Sequence, residues 1–212
     1  MHHVTASLPP SSRLQGPTQG DYANIHYWLE VQVQRPGPLH RDGLLERDIT
    51  FSPLDPPLPP PMLSPATCNR QGSRIALEAA LPSPSILYLG SVVPLKLFVR
   101  RLGPVDGLPA INLRSLSISV RAGTSVTVGS HHSAWASNRD IISLPALELP
   151  LSEPGHASTE VPSSLWDDVP VADLTPSFTT CTIRHQHSLL VRAAFDYDGS
   201  GAVEVRAPLF CC

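Results

Sequence analysis

Ile25-His26-Tyr27-Trp28-Leu29-Glu30-Val31-Gln32-Val33-Gln34 is the stretch on which the fold of this chain turns. Side chains change face at every residue of a strand. Ile25, Tyr27, Leu29, Val31 and Val33 therefore share an apolar face, and Trp28, Glu30, Gln32 and Gln34 share the opposite one. The same alternation recurs further on. Leu95, Leu97 and Val99 oppose Lys96, Phe98 and Arg100; Leu116, Ile118 and Val120 oppose Ser117, Ser119 and Arg121; Val203 and Val205 oppose Glu204 and Arg206. No helix-period segment interrupts the series. Each run is expected to bury one face and wet the other, so the sequence predicts an all-β, immunoglobulin-like antiparallel β-sandwich.

Composition sets the bounds. At 212 residues and 42% hydrophobic content, the chain can fill one large or two small cores. Its 24 prolines are far above average usage and belong in loops, edges and linkers, because proline has no amide proton for a central strand. Lys and Arg number 15 against 18 Asp and Glu, so no basic stripe supports nucleic-acid binding. Met1 to Gly20 lacks the basic start and apolar run of a secretory signal. The uncharged stretch Ala79–Leu95 is broken by Pro82, Pro84, Gly90 and Pro94, which no spanning helix of about 20 residues tolerates. A cytoplasmic protein without a transmembrane segment is expected. Cys68 and Cys181 stand alone and Cys211-Cys212 are adjacent, giving neither a disulfide framework nor a zinc pattern. A double Cys end also invites lipidation, as in prenylated transport GTPases, but the accompanying GTPase pattern is missing and the pair reads as the end of the last strand.

Three segments separate. Residues 1–54 hold the Ile25–Val33 strand and a second from Glu46 to Phe51, joined through Arg35-Pro36-Gly37-Pro38 and Arg41-Asp42-Gly43 turn chemistry into an antiparallel hairpin. Two or three strands alone are barely stable, so this part must pack on something else, and its unpaired edges make it a predicted peptide-docking or aggregation site. Residues 55–72 read as a proline-rich linker of polyproline II character. Its Pro56, Pro57, Pro59, Pro60 and Pro61 are a candidate docking peptide for a polyproline-binding domain, which is the alternative function. Residues 73–212 carry the main sandwich, with strands expected near 74–81, 91–101, 113–121, 124–129, 140–149, 179–195 and 202–210. Within Leu151–Pro176, Ser152, Glu153, Pro154, Gly155 and His156 read as a mobile loop, and Trp166 with Leu165 and Val169 as a short segment folded back on the sandwich.

Catalytic and metal patterns are weak. Asp196-Tyr197-Asp198-Gly199-Ser200-Gly201 opens like a calcium loop, but Ala207 stands where the bidentate Glu belongs and strands replace the flanking helices. A hairpin turn is the simpler reading. His185 and His187 share a face with Ile183, Leu189 and Val191 and offer two metal ligands without a third; hydrogen-bonded strand histidines explain them as well. His131-His132 and His2-His3 are assigned to loops. No Gly-x-Ser-x-Gly elbow or phosphate loop occurs, and Cys181 lies about 13 Å from His185 along a strand. An enzyme is not expected, and no cofactor is implied.

Several of these segments resemble one family. Ile25 through Gly37 looks like the late strand of the N-terminal domain of fungal arrestin-like proteins, with Ser7-Leu8-Pro9-Pro10-Ser11 resembling the segment before it. Tyr88-Leu89-Gly90 and Val93-Pro94-Leu95-Lys96-Leu97 resemble the opening of the arrestin C-terminal sandwich, and Pro176-Ser177-Phe178-Thr179-Thr180 through Leu189-Leu190-Val191 its closing strands. The resemblance implies a partial N-terminal sandwich over 1–54 and a C-terminal one over 73–212. It also implies a non-enzymatic adaptor in trafficking, endocytosis or signalling, peripheral at the plasma membrane or endosome, that binds cytosolic tails of membrane transporters or receptors and recruits a ubiquitin ligase. Arg100, Arg101, Arg114 and Arg121 become candidate contacts for acidic or phosphorylated tails, against the plainer reading of a solvated sheet face.

The chain departs from the family in three ways. Tyr22, Tyr27, Tyr88 and Tyr197 all lack the Pro-Pro-x-Tyr context that recruits the ligase. Lys96 is the single lysine, beside 14 arginines, and so the sole ubiquitin acceptor. Only Val4–Leu8 precedes the first long strand, which leaves the N-terminal sandwich short of strands.

Overall fold

A computed structural model describes residues 8–33, 43–51, 62–69, 75–83, 85–102, 110–152, 157–171, 174–196 and 203–211. Two compact units are built from interleaved stretches of chain. Unit 1 takes residues 1–56, 124–135 and 178–184, and unit 2 takes 57–123, 136–177 and 185–212. Among the described residues the structure is almost wholly strand, with one 3-10 turn at Ser163–Leu165.

Unit 1 contains β1 (Ser12–Gln15), β2 (Tyr22–Ile25), β3 (Tyr27–Val33) and β4 (Gly43–Ile49). β1 pairs with β2 and β3 with β4, each as an antiparallel two-stranded sheet. The long alternating run is thus divided at His26, where the chain changes partner strand. The turn between β1 and β2 is closed by Gly16 N–H donating to the Asp21 carbonyl at 2.6 Å, and a Cβ on Gly16 would collide with the Asp21 side chain. Leu14 and Ala23 fill the small buried centre of that hairpin.

The remaining strands are β5 (Met62–Asn69), β6 (Ile75–Ser83), β7 (Ile86–Leu87), β8 (Lys96–Arg101), β9 (Ile111–Val128), β10 (His131–Leu144), β11 (Leu149–Ser152), β12 (Ser158–Val161), β13 (Phe178–Thr179), β14 (Ile183–Asp196) and β15 (Val203–Cys211). One sheet has the order β12-β8-β6-β5; the other runs β10-β9-β14-β15-β7, with β11 on β9 and β13 on β14. Ile75, Leu77, Ala79 and Leu81 of β6, Leu97 and Val99 of β8, Leu116, Ile118 and Val120 of β9, and Leu189, Val191, Ala193 and Phe195 of β14 form one buried cluster. Inward residues of two sheets meeting in a single core make unit 2 the expected all-β sandwich. Trp166, just past the 3-10 turn, is fully buried in it, with Leu165 and Val169 packed alongside, as the sequence suggested. One pairing departs from the antiparallel rule: β7 lies parallel to β15, Ile86 opposite Phe210.

Several strand limits shift. Residues 113–121 and 124–129 are one strand, because Gly123 sits in extended chain and the reversal occurs at Gly129, with φ of 61°. His131 and His132 consequently lie in β10 rather than in a loop, and His132 Nδ1 is 3.0 Å from Thr127 Oγ1. Inward positions on β9 are odd through Leu113 and even from Leu116, the change of phase a bulge produces. Within the stretch read as linker, Met62–Asn69 is strand, antiparallel to β6 from Met62↔Ser83 to Asn69↔Ala76. Residues 55–61 lie outside the described residues.

Candidate functional site

The four candidate arginines do not converge. Arg100 points outward from β8 and pairs with Glu78 across the β6–β8 ladder at 3.1 Å, next to the Lys96–Glu160 pair at 3.9 Å. Arg101 follows Leu97 and Val99 on the inward face and is only 5% exposed. Arg114 lies on the other sheet, where its Nη2 donates to Asp196 Oδ2 at 2.7 Å and Nη1 lies 3.5 Å from Glu148 Oε1. Hydrogen bonding to Asp196, then that carboxylate's charge, raises the Arg114 pKa above its ordinary value. Arg121 is half-buried, seven residues farther along β9, a strand distance of about 23 Å. Two of the four have their charge met by carboxylates of the same sheet, and a phosphorylated tail would have to displace those partners. The candidate docking peptide Pro56, Pro57, Pro59, Pro60 and Pro61 lies outside the described residues.

His185 and His187 do come together. Both are buried on the inward face of β14, with rings edge to face at 4.8 Å between centroids. His187 Nδ1 is 2.9 Å from Ser177 Oγ. Burial lowers the pKa of both, and the neighbouring His185 helps to bring His187 down to about 4. The imidazoles are therefore neutral at ordinary pH. Among the described residues no group of three or more His, Cys, Asp or Glu side chains is placed to hold a metal ion. Most of the 196–204 turn lies outside the described residues, although β14 and β15 do pair antiparallel, Ala193 opposite Val203. In unit 2 a cleft of about 120 Å³ is lined by Val120, Arg139, Asp140, Ile141 and residues 169–171, too small for more than a few waters.

The most exposed chemistry lies on the β3–β4 ribbon. Its register pairs Tyr27 with Ile49, Leu29 with Arg47, Val31 with Leu45 and Val33 with Gly43 on one face, and Trp28 with Asp48, Glu30 with Glu46 and Gln32 with Leu44 on the other. The sequence expected Leu29, Val31 and Val33 to be buried. Instead they are 55%, 42% and 51% exposed, with Leu45 at 65% and Ile49 at 43% on the same face. Strand alternation is present, but among the described residues β3 has β4 alone for a neighbour in its sheet. The Tyr27 end is anchored: its hydroxyl donates to the Pro9 carbonyl at 2.8 Å and its ring packs on Phe51 at 5.2 Å. Phe51 N–H donates to Ser11 Oγ, and Ser11 N–H to the Phe51 carbonyl, both at 2.8 Å. On the second face, His26 Nε2 lies 3.1 Å from Asp48 and stacks on Trp28, while Glu30 and Glu46 stand directly opposite each other. The hairpin was readable from the sequence. That both faces stay exposed, Trp28 at 57% and Leu44 at 61% on the second, was not, because alternation marks an apolar face without saying whether anything covers it.

No helix among the described residues is long and apolar enough to cross a membrane. No family model and no curated protein matches the sequence. Among solved structures, the chain is similar to Spo0M, a sporulation control protein from Bacillus subtilis, with 9% identity and a TM-score of 0.42. That alignment covers 66% of this chain and 49% of Spo0M, so the chain spans about half the length of that protein.

Proposed function

We propose that the protein is a non-enzymatic adaptor of arrestin-like type, a β-sandwich that binds extended cytosolic segments of membrane proteins. The observation that carries this reading is the distribution of exposed apolar side chains. Seven of the 13 large hydrophobic residues exposed among the described ones, Trp28, Leu29, Val31, Val33, Leu44, Leu45 and Ile49, belong to the single β3–β4 ribbon. A soluble surface scatters such residues, whereas a concentration of them on strands with open edges suits recognition by strand pairing and apolar contact. The arginines contribute less to this reading than their number suggested, since Arg100 and Arg114 are engaged in their own sheets.

An array of synthetic cytosolic-tail peptides, unmodified and phosphorylated, probed with the full-length chain by biolayer interferometry, tests the proposal. Saturable binding of a subset of tails is expected, weakened little by Arg114→Ala. Absence of saturable binding across the array would remove the adaptor reading.

A further inference from the structure

We infer that the Leu29–Arg47 face of the β3–β4 ribbon is a docking site for an extended peptide of another protein, one that presents alternating apolar side chains and a carboxylate placed to meet Arg47. The inference rests on the adaptor reading above and specifies the partner's chemistry.

The two faces of the ribbon differ sharply. One presents Glu30, Glu46 and Asp48 beside the exposed Trp28 and Leu44, and its carboxylates disfavour an acidic ligand. The other presents Leu29, Val31, Val33, Leu45 and Ile49 around one charged side chain, the exposed Arg47 opposite Leu29. Among the described residues Arg47 makes no ion pair, and its own face supplies no carboxylate. A guanidinium in the middle of an apolar surface is costly to cover unless the covering group brings an acceptor. This condition selects the occupant. A second copy laid face to face would bring another apolar face and another Arg47, burying two cations with no carboxylate between them. An extended peptide with apolar residues at alternate positions and one Glu or Asp among them satisfies both the aliphatic side chains and Arg47, through a bidentate charge-assisted pair. Tyr27, held by Pro9 and Phe51, fixes the near end of the ribbon, so the peptide meets a preset surface.

The probe is a fluorescein-labelled nonapeptide carrying Val, Leu, Glu, Val and Leu at alternate positions with Thr between them, and a twin with Lys in place of the Glu. Fluorescence anisotropy with the full chain should show the Glu peptide binding at least tenfold more tightly than the Lys peptide. Arg47→Glu should reverse that order, and Leu45→Ser should weaken both; each position is exposed, so the variants retain the fold. Equal affinity for the two peptides, or no binding of either, overturns the inference. Sedimentation equilibrium showing a dimer abolished by Leu45→Ser also overturns it, because a second copy then occupies the face. The tail array separates the two levels of the argument. Tails that bind Arg47→Glu as well as the parent chain leave the adaptor standing without this site. A selective Glu peptide with a silent array leaves the site without that adaptor.

Discussion

His187 shows what a buried polar residue does to the pH response of a strand. Its folded-state pKa is lowered to about 4, by burial and then by His185, whereas the unfolded chain binds a proton near pH 6.5. The unfolded state thus holds more protons between these values. The contribution of the neutral His187 to stability is complete above about pH 6.5 and is lost as the pH falls toward 4, with His185 acting in the same direction. Urea midpoints at pH 7.5 and pH 5.0 should differ clearly for the parent chain and less for His187→Phe, which keeps the ring and removes the titration. An unchanged difference would show that this pair does not set the acid limit. At this scale the sequence told much: the shared parity of His185, His187, Leu189 and Val191 placed the pair on one inward face. Arg101 is legible by the same rule: two residues beyond Val99 it shares the inward face, and its place on the strand outweighs its charge.

Among the elements, the β9–β10 hairpin depends on Gly129, whose φ of 61° lies in the left-handed region that a β-branched side chain avoids. Gly129→Val should destabilise the chain by about 1–2 kcal/mol, and Gly129→Asn by less, since Asn visits that region more readily. Equal chemical-denaturation midpoints for both variants would mean that the turn relaxes into another form. Gly123 carries no such demand; its Cβ would meet only the Gln186 carbonyl, at 3.9 Å. Strands expected over 113–121 and 124–129 put a break at both glycines, and only Gly129 reverses the chain, because glycine signals permission for a turn and the backbone decides where it is used. The ribbon illustrates a different limit. Its pairing followed from alternation and turn chemistry, although β4 runs over Gly43–Ile49 where Glu46–Phe51 was expected, whereas its exposure depends on what lies above the sheet, which no local pattern encodes.

For the molecule as a whole, unequal protection is expected. Amides of β6, β9 and β14 within unit 2 lie in a two-sheet core and should exchange only through global unfolding. Amides of β3 and β4, in a two-stranded sheet with open edges, should exchange orders of magnitude faster. Hydrogen exchange read by mass spectrometry over the two segments tests this, and uniform protection would contradict it. The sandwich class was legible because core strands announce themselves by period two. The interleaving of chain segments between units was not, since it depends on contacts between residues more than a hundred positions apart. That interleaving bears on biosynthesis. β15 lies between β14 and β7, with Phe210 beside Ile86, so the larger sheet cannot close while residues 203–211 are still inside the ribosome. Until then the nascent chain presents β14 as an open edge, and slow translation or truncation near residue 200 would turn a folding intermediate into a substrate for chaperones or for aggregation.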